Sequence, residues 1–104
     1  MYSRNVTFKL LPNQLMQFID TYDHQVLAIL KKQKGFRGEV MIITASGEDV
    51  IASSYWARQE YAAVYEDGAY NVALDALSGM IEKGPTVCNS EVIGSTFHHL
   101  GVVL

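Results

Sequence analysis

The sequence has a single cysteine, two prolines and no long apolar run. Because Cys88 has no second cysteine to pair with, we expect a fold that does not depend on a disulfide and that suits a reducing compartment. The first residues lack the apolar block of a signal peptide, and no run approaches the roughly 20 apolar residues of a membrane span. These absences predict a cytoplasmic protein with no membrane partner.

Positive charge is also scarce, with 8 lysines and arginines against 11 aspartates and glutamates and a formal net charge of −3. Proteins that bind nucleic acids usually present a basic face to the phosphates, so we expect no nucleic-acid partner. The basic cluster of Lys31, Lys32 and Lys34 falls at a predicted helix end, where cations interact favourably with the helix dipole.

The common catalytic signatures are missing as well. We find no glycine-rich phosphate loop, no catalytic serine motif and no paired carboxylates. Cys88 has neither a Cys-x-x-Cys partner nor an adjacent histidine, which argues against nucleophilic catalysis. His98 and His99 are neighbours on a predicted strand and would project to opposite faces, so they cannot chelate one ion together. We therefore expect no metal site.

What the chain does have is apolar content, at 49% hydrophobic against 18% charged residues in a length of 104. That length is typical of a single domain, and it is enough to bury one packed core. The composition predicts one globular domain over residues 1–104, with some apolar surface left for a partner.

Periodicity gives the order of elements. Alternation from Ser3 to Leu10 predicts a first strand, and Pro12 then fits the first turn of a long amphipathic helix. Its apolar stripe contains Leu15, Phe18, Ile19, Tyr22, Val26, Ile29 and Leu30. The segments "EVMIITA" and "VIASSYW", joined by the turn "SGED", predict a hairpin from Glu39 to Trp56.

The second half repeats the order of a helix followed by a strand. Helical character resumes at Ala57, weakens at Gly68 and continues to Gly84 and Pro85. The segment "TVCNSEVIGSTFHHL" predicts a last strand, with a possible bulge at Gly94. The order β-α-β-β-α-β is that of an α+β, ferredoxin-like fold, with both helices on one face of an antiparallel four-stranded sheet.

That arrangement leaves the second sheet face without cover. Val40 and Ile42 alternate with Met41 and Ile43, so apolar side chains lie on both faces of this strand. Exposed apolar patches of this kind mark interaction sites, and we expect a homodimer formed through the sheet face.

The stretch "SSYWARQEYAA", residues 53–63, passes from strand into helix and holds the only tryptophan. Because neighbouring strand side chains alternate, Tyr55 and Trp56 are predicted to serve opposite sheet faces. Trp56 either packs in the core between the strand and the helix or forms a flat wall of a ligand pocket.

Three stretches, "GFRGEVMI", "SYWARQEYAAVY" and "SEVIGSTFHH", resemble the antibiotic biosynthesis monooxygenase (ABM) domain of the dimeric α+β barrel superfamily. The resemblance implies a homodimer that oxidises a small aromatic or polyketide-like molecule without a cofactor, in a pocket between sheet and helices. It also leaves open a non-catalytic dimeric module that binds a small molecule or serves assembly. The heme-degrading relatives use a helix histidine, and residues 57–83 contain none, which argues against heme.

On that resemblance, Trp56, Asn5 and His98 are the catalytic candidates: a wall, a hydrogen-bond donor and a general base. Asn5 lies opposite the apolar set of its strand, so it is alternatively a residue facing water or the partner. Tyr61, Tyr65 and Phe97 are the substrate-binding candidates. Tyr61 and Tyr65 are four residues apart on a helix and share a face, where a core role is the alternative.

Overall fold

A computed structural model describes residues 1–96 of the chain. The strands are β1 (Tyr2–Lys9), β2 (Phe36–Ile43), β3 (Asp49–Trp56) and β4 (Thr86–Glu91). The helices are α1 (Leu15–Thr21), α2 (Leu27–Lys31), α3 (Gln59–Asp67) and α4 (Ala69–Leu77), with a π-helical turn (Tyr22–Val26) between α1 and α2 and a 3₁₀ turn (Ser78–Met80) after α4. The predicted β-α-β-β-α-β order is confirmed, with each predicted helix divided into two segments.

The four strands form one sheet in the order β2-β3-β1-β4, and every neighbouring pair is antiparallel. This is the α+β, ferredoxin-like topology that the sequence predicts. The sheet places β2 at one edge and β4 at the other.

Strand alternation decides which side chains enter the core. The even-numbered residues of β1 and β3 lie opposite one another in register and face the helices, among them Val6, Phe8, Val50 and Ala52. We call this the inner face, and the side turned away from the helices is the outer face. The outer face of β2 stays partly uncovered, with Val40 and Ile42 exposed by 37% and 53%.

The first helical region packs on the inner face through Phe18, Tyr22, Val26 and Leu30, which recur at intervals of four. In a regular α-helix that interval drifts by about 40° per step, because one turn takes about 3.6 residues. The wider π-helical turn takes up part of the drift and keeps the stripe on the sheet. Among residues 1–96, none of the helices has the length and apolar character that crossing a membrane requires.

Several boundaries differ from the prediction. α1 begins at Leu15, so Pro12 lies in the turn before the helix and the prediction that it occupies the first helical turn is wrong. The last strand ends at Glu91, and Gly94 lies in irregular backbone, so the prediction of a strand with a bulge there is wrong. β4 pairs with β1 as far as Tyr2, and the last hydrogen bond of this edge is donated by the Val92 N–H to the Met1 carbonyl at 2.9 Å. α3 begins at Gln59, because the Ala57 N–H is held by the Gly35 carbonyl at 2.8 Å. β2 begins at Phe36, earlier than the predicted Glu39.

Candidate functional site

Polar side chains form a row across the inner face of the sheet. Arg4 on β1 and Glu39 on β2 both lie opposite Ser54 on the central strand β3. Neighbouring strands are about 4.8 Å apart, so the backbones at the two ends of this polar row are roughly 10 Å apart. The rows on either side are apolar, and charge at this level of the core is therefore concentrated in Arg4 and Glu39.

Glu39 forms the end of the polar row nearest the sheet edge. The Tyr22 hydroxyl donates to its Oε2 at 2.6 Å. Burial raises the pKa of Glu39 to about 7, an effect that the Tyr22 hydrogen bond opposes and the nearby Asp23 carboxylate reinforces. A carboxyl group with such a pKa exchanges its proton at neutral pH, which is the property of a general base.

Tyr22 stands on the π-helical turn and connects the helix to Glu39. Burial raises the pKa of the Tyr22 phenol well above its ordinary value, and the neighbouring Glu39 carboxylate raises it further. The hydroxyl thus stays protonated and remains a hydrogen-bond donor to Glu39. π-helical turns occur frequently at functional sites, and this one brings Tyr22 and Asp23 to the same carboxyl group.

An open groove runs between the first helical region and the edge strand β2, and we call it the edge groove. Its volume is about 520 Å³, within the range of small-molecule sites. The helix side is lined at intervals of four by Leu15, Ile19, Asp23, Leu27 and Lys31. The sheet side is lined by Phe36, Gly38, Glu39, Met41, Ile42, Ile43 and Val50. Glu39 is therefore a titratable group in a largely apolar wall.

Arg4 forms the other end of the polar row and is only 2% exposed. Its guanidinium carbon lies 3.9 Å from the Tyr70 ring centroid and 5.6 Å from that of Tyr65. Its Nη2 lies 3.4 Å from Glu66 Oε1, while its Nε has no hydrogen-bond partner within residues 1–96. Beside it is a small space of about 10 Å³, which we call the inner cavity.

Trp56 is completely buried and packs with other aromatic residues. The Phe36 ring meets it edge-on at 5.6 Å between centroids, and the Tyr65 ring lies at 5.3 Å. Its indole N–H donates to Ser54 Oγ at 2.9 Å. Trp56 lines neither the edge groove nor the inner cavity, but it supports Phe36, which forms part of the groove wall. Tyr55 points to the outer face, so the predicted division of this pair between the two faces is confirmed.

Asn5 lies on the outer face, opposite Ser53 and Cys88 of the neighbouring strands. Its Nδ2 donates to Ser3 Oγ at 2.8 Å and to the Cys88 carbonyl at 3.0 Å. Asn5 and Trp56 are therefore on opposite sides of the sheet, and the structure does not bring them together in one pocket.

The remaining predicted site residues lie apart from one another. Tyr61 packs on the loop before β2, where a Cβ added to Gly35 would collide with the tyrosine ring. Tyr65 is buried against Trp56 and lines the inner cavity. Phe97 and His98 lie outside the described residues, and their predicted roles stay predictions.

Sequence reasoning missed Arg4, Tyr22, Glu39 and Tyr70. A signal was available, since Arg4 shares its strand parity with Val6 and Phe8 and is therefore a charged residue at a core-facing position. Glu39 gave no such signal, because Gly35 and Gly38 interrupt the alternation of polar and apolar residues just before it. Across the described part of the chain, no group of three or more histidine, cysteine, aspartate or glutamate residues is placed to hold a metal ion.

No protein-family profile matches the sequence, and no curated protein matches it either. Solved structures do match the fold. A monooxygenase from Streptomyces coelicolor, ActVA-Orf6, in complex with nanaomycin D superposes with a TM-score of 0.76 at 17% identity, covering 92% of this chain and 90% of that one. SnoaB, a cofactor-independent oxygenase from Streptomyces nogalater, gives 0.76 at 10% identity over 92% and 96% of the two chains.

A Bordetella bronchiseptica protein, provisionally named an antibiotic biosynthesis monooxygenase, superposes with a TM-score of 0.77 at 9% identity. The match covers 88% of this chain and 96% of that one. At such identities the likeness concerns the fold, and chemistry has to be argued from the site. The chain therefore has the fold of structures named as antibiotic biosynthesis monooxygenases, in agreement with the resemblance of its sequence.

Proposed function

We propose that the protein is an ABM-type monooxygenase that oxidises a small aromatic or polyketide-like molecule in the edge groove, without a cofactor. The observation that carries the proposal is Glu39, a carboxyl group with a pKa of about 7 in the wall of an apolar groove of about 520 Å³. The fold shared with a cofactor-independent oxygenase supports the same reaction class.

The first step is removal of a proton from the substrate. Ionised Glu39 takes the proton of an activated ring CH₂ group, and the electron pair of the broken C–H bond stays on the substrate. The Tyr22 hydroxyl, 2.6 Å from the carboxylate, fixes the orientation of the base. The bound substrate and the apolar residues of the edge groove together displace water from the resulting anion.

The substrate anion then reduces dioxygen by one electron, and the substrate radical and superoxide combine to form a C–O bond. Glu39 returns its proton to the peroxide anion. Loss of the second C–H proton breaks the O–O bond and releases water, so that CH₂ and O₂ give C=O and H₂O. The protein supplies a base, an orientation and an apolar surface, and the substrate supplies all the electrons.

The test measures oxygen consumption with a panel of anthrone-type substrates. We expect uptake by the wild type and a loss of about 100-fold or more in Glu39→Gln, since general-base catalysis typically contributes about 10²–10⁴-fold. Glu60→Gln is the matched control, because Glu60 is an exposed carboxylate on α3 that pairs with Arg58, the residue just before the helix. Tyr22→Phe is expected to retain part of the activity.

The wild-type rate should also rise with pH as Glu39 ionises near pH 7. Absence of uptake by the wild type on every substrate would refute the proposal, as would equal rates in the wild type and Glu39→Gln.

A second candidate function is a non-catalytic module that binds a small molecule or serves assembly. The close packing around Trp56 and the small inner cavity favour it, because the space beneath the helices is filled. Such a module would bind the anthrone-type compounds without discriminating among them and without oxygen uptake. Its affinity for them would be the same in the wild type and in Glu39→Gln.

We also propose that the protein is a homodimer formed through the outer face. Val40, Ile42, Ile51 and Tyr55 all lie on that face, and the first two are exposed large apolar side chains. Burying such a patch against a second copy is the common solution. Sedimentation tests this, and a stable monomer at micromolar concentration would contradict it.

A further inference from the structure

The edge groove carries its charged residues in separate zones along its length. The helical region and β2 run in opposite directions, so Leu15 and Ile19 lie towards the Ile43 end of the strand, and that end of the groove is apolar. Asp23 and Glu39 bring carboxyl groups from the helix and from the strand to the middle of the groove. An anionic part of a ligand is repelled from this middle zone.

Lys31 brings positive charge to the other end of the groove, where the chain turns from α2 into β2. At about 1.5 Å per residue, its backbone lies roughly 12 Å along the helix from that of Asp23. Among the described residues that line the groove, Lys31 is the only lysine or arginine. Within residues 1–96, no carboxylate forms an ion pair with it. Its ammonium group is therefore available to a ligand.

The other lysines of the basic cluster do not share this position. Lys34 Nζ lies 5.5 Å from the Tyr61 ring centroid, and Lys32 does not line the groove. A favourable interaction with the helix dipole is open to all three lysines at this helix end. The dipole thus does not distinguish Lys31 from its neighbours, whereas the groove does.

We propose that Lys31 determines the substrate class of the edge groove: an aromatic molecule that carries an anionic group, such as a carboxylate, on a ring remote from its reacting CH₂ group. This inference rests on the proposed function, because it takes the groove as the substrate site and Glu39 as the base. With the reacting carbon at Glu39, the anionic group meets Lys31 in one orientation and the apolar end of the groove in the other. Lys31 is therefore a specificity-determining residue that orients the substrate and takes no part in proton transfer.

The test compares two three-ring compounds that have no ring CH₂ group to oxidise, anthraquinone-2-carboxylate and the neutral 2-(hydroxymethyl)anthraquinone. Equilibrium dialysis at low salt measures the affinity of the protein for each. We expect the wild type to bind the carboxylate about fivefold more tightly, because a partly solvated ion pair typically changes an affinity by a factor of about two to five. The preference should shrink as salt rises from about 0.01 M to about 0.15 M, since the Debye length falls from about 30 Å to about 8 Å.

Lys31→Met removes the charge and keeps an apolar side chain of similar length, so the preference for the carboxylate should disappear. Its affinity for the neutral quinone should be that of the wild type. Lys32→Met is the matched control, because it removes the neighbouring charge of the same helix end and should keep the preference. Both lysines are exposed, so both variants should fold.

A kinetic measurement separates orientation from catalysis. With an anthrone carboxylate as substrate, Lys31→Met should raise KM several-fold and change kcat by less than about twofold, as expected for a contact made equally in the bound substrate and in the transition state. Glu39→Gln should instead lower kcat.

Equal affinities of the wild type for the two quinones would overturn the inference, as would the absence of binding of either one. It would also be overturned by a preference that survives in Lys31→Met or is lost in Lys32→Met. Failure of the proposed function would look different, because the quinone measurement needs no turnover. A Lys31-dependent preference without oxygen uptake by the wild type would refute the monooxygenase and leave recognition of the anion in place.

Discussion

The inner face of the sheet holds two regions that differ in packing and in charge. The corner around Trp56 is closed, aromatic and internally hydrogen-bonded, whereas the edge groove beside Glu39 is open and holds a titratable carboxyl group. The most conspicuous residue of the sequence, its one tryptophan, belongs to the closed region. Rarity and size thus mark a packing residue in this protein, and the group with the shifted pKa is an ordinary glutamate made unusual by burial.

The two regions meet at Phe36. One edge of its ring packs on Trp56, and its side chain also forms part of the wall of the edge groove. The closed corner therefore serves the open groove as a rigid support, which a flexible side chain in place of the tryptophan would not provide. The following predictions test this division of roles, beginning with the largest expected effect.

Trp56→Ala should lower the free energy of unfolding by about 3–5 kcal/mol, since removal of a fully buried large aromatic leaves a cavity. Tyr55→Ala, one residue earlier on the outer face, should lower it by less than half as much. Denaturant titration of both variants measures the difference. Equal losses would mean that the corner is no more tightly packed than the outer face.

Stability should depend on pH through Glu39. Its pKa is raised in the folded state from 4.5 to about 7, so the folded protein binds this proton more tightly than the unfolded chain. The contribution of the Glu39 carboxyl group to the free energy of unfolding is fully present below pH 4.5. It is lost as the pH rises through about 7. The total loss should be about 3–4 kcal/mol, since a shift from 4.5 to about 7 corresponds to about 1.4 kcal/mol per pKa unit.

Glu39→Gln is the control for that measurement. The amide does not titrate, so unfolding free energies measured between pH 4 and about pH 8 should lack this component. A wild-type pH profile that matches the profile of Glu39→Gln would show that the carboxyl group titrates normally and is not the base.

Asn5→Ala should have the smallest effect. Its amide bonds Ser3 and the Cys88 carbonyl on the outer face, and the lost contacts should lower the free energy of unfolding by about 1 kcal/mol. Oxygen consumption should change by less than about twofold, because the edge groove is on the other side of the sheet. A loss comparable to that of Glu39→Gln would place the reaction on the outer face instead.

Much of the fold could be predicted because it follows from local patterns. Alternation fixes β1 and β3, including the opposite directions of Tyr55 and Trp56, and the element order fixes the strand order of the sheet. The end of β4 could not be predicted, because it depends on the register in which β4 pairs with β1. The π-helical turn could not be predicted from periodicity either, since its apolar spacing is compatible with a regular helix.

The candidate site was largely hidden from the sequence. A pKa near neutrality depends on how deeply Glu39 is buried and on the hydroxyl of Tyr22, which is 17 residues away in the chain. Arg4 and Glu39 come into one row only when β3 inserts between their strands. Arg4 was detectable by its strand parity alone, but its unmatched Nε is a property of tertiary packing.

The π-helical turn makes the chemistry of Glu39 sensitive to chain length. Such a turn contains one residue more than an α-helical turn, so deletion of one residue between positions 22 and 26 would allow a regular helix to form. The part of the helix before the deletion would then rotate by about 100° relative to the part after it. The Tyr22 hydroxyl would leave the carboxyl group, while the strand residues beside Glu39 kept their positions in the sheet. A single codon in a helix thus controls the hydrogen bond that holds down the pKa of a residue on a neighbouring strand, where burial raises it.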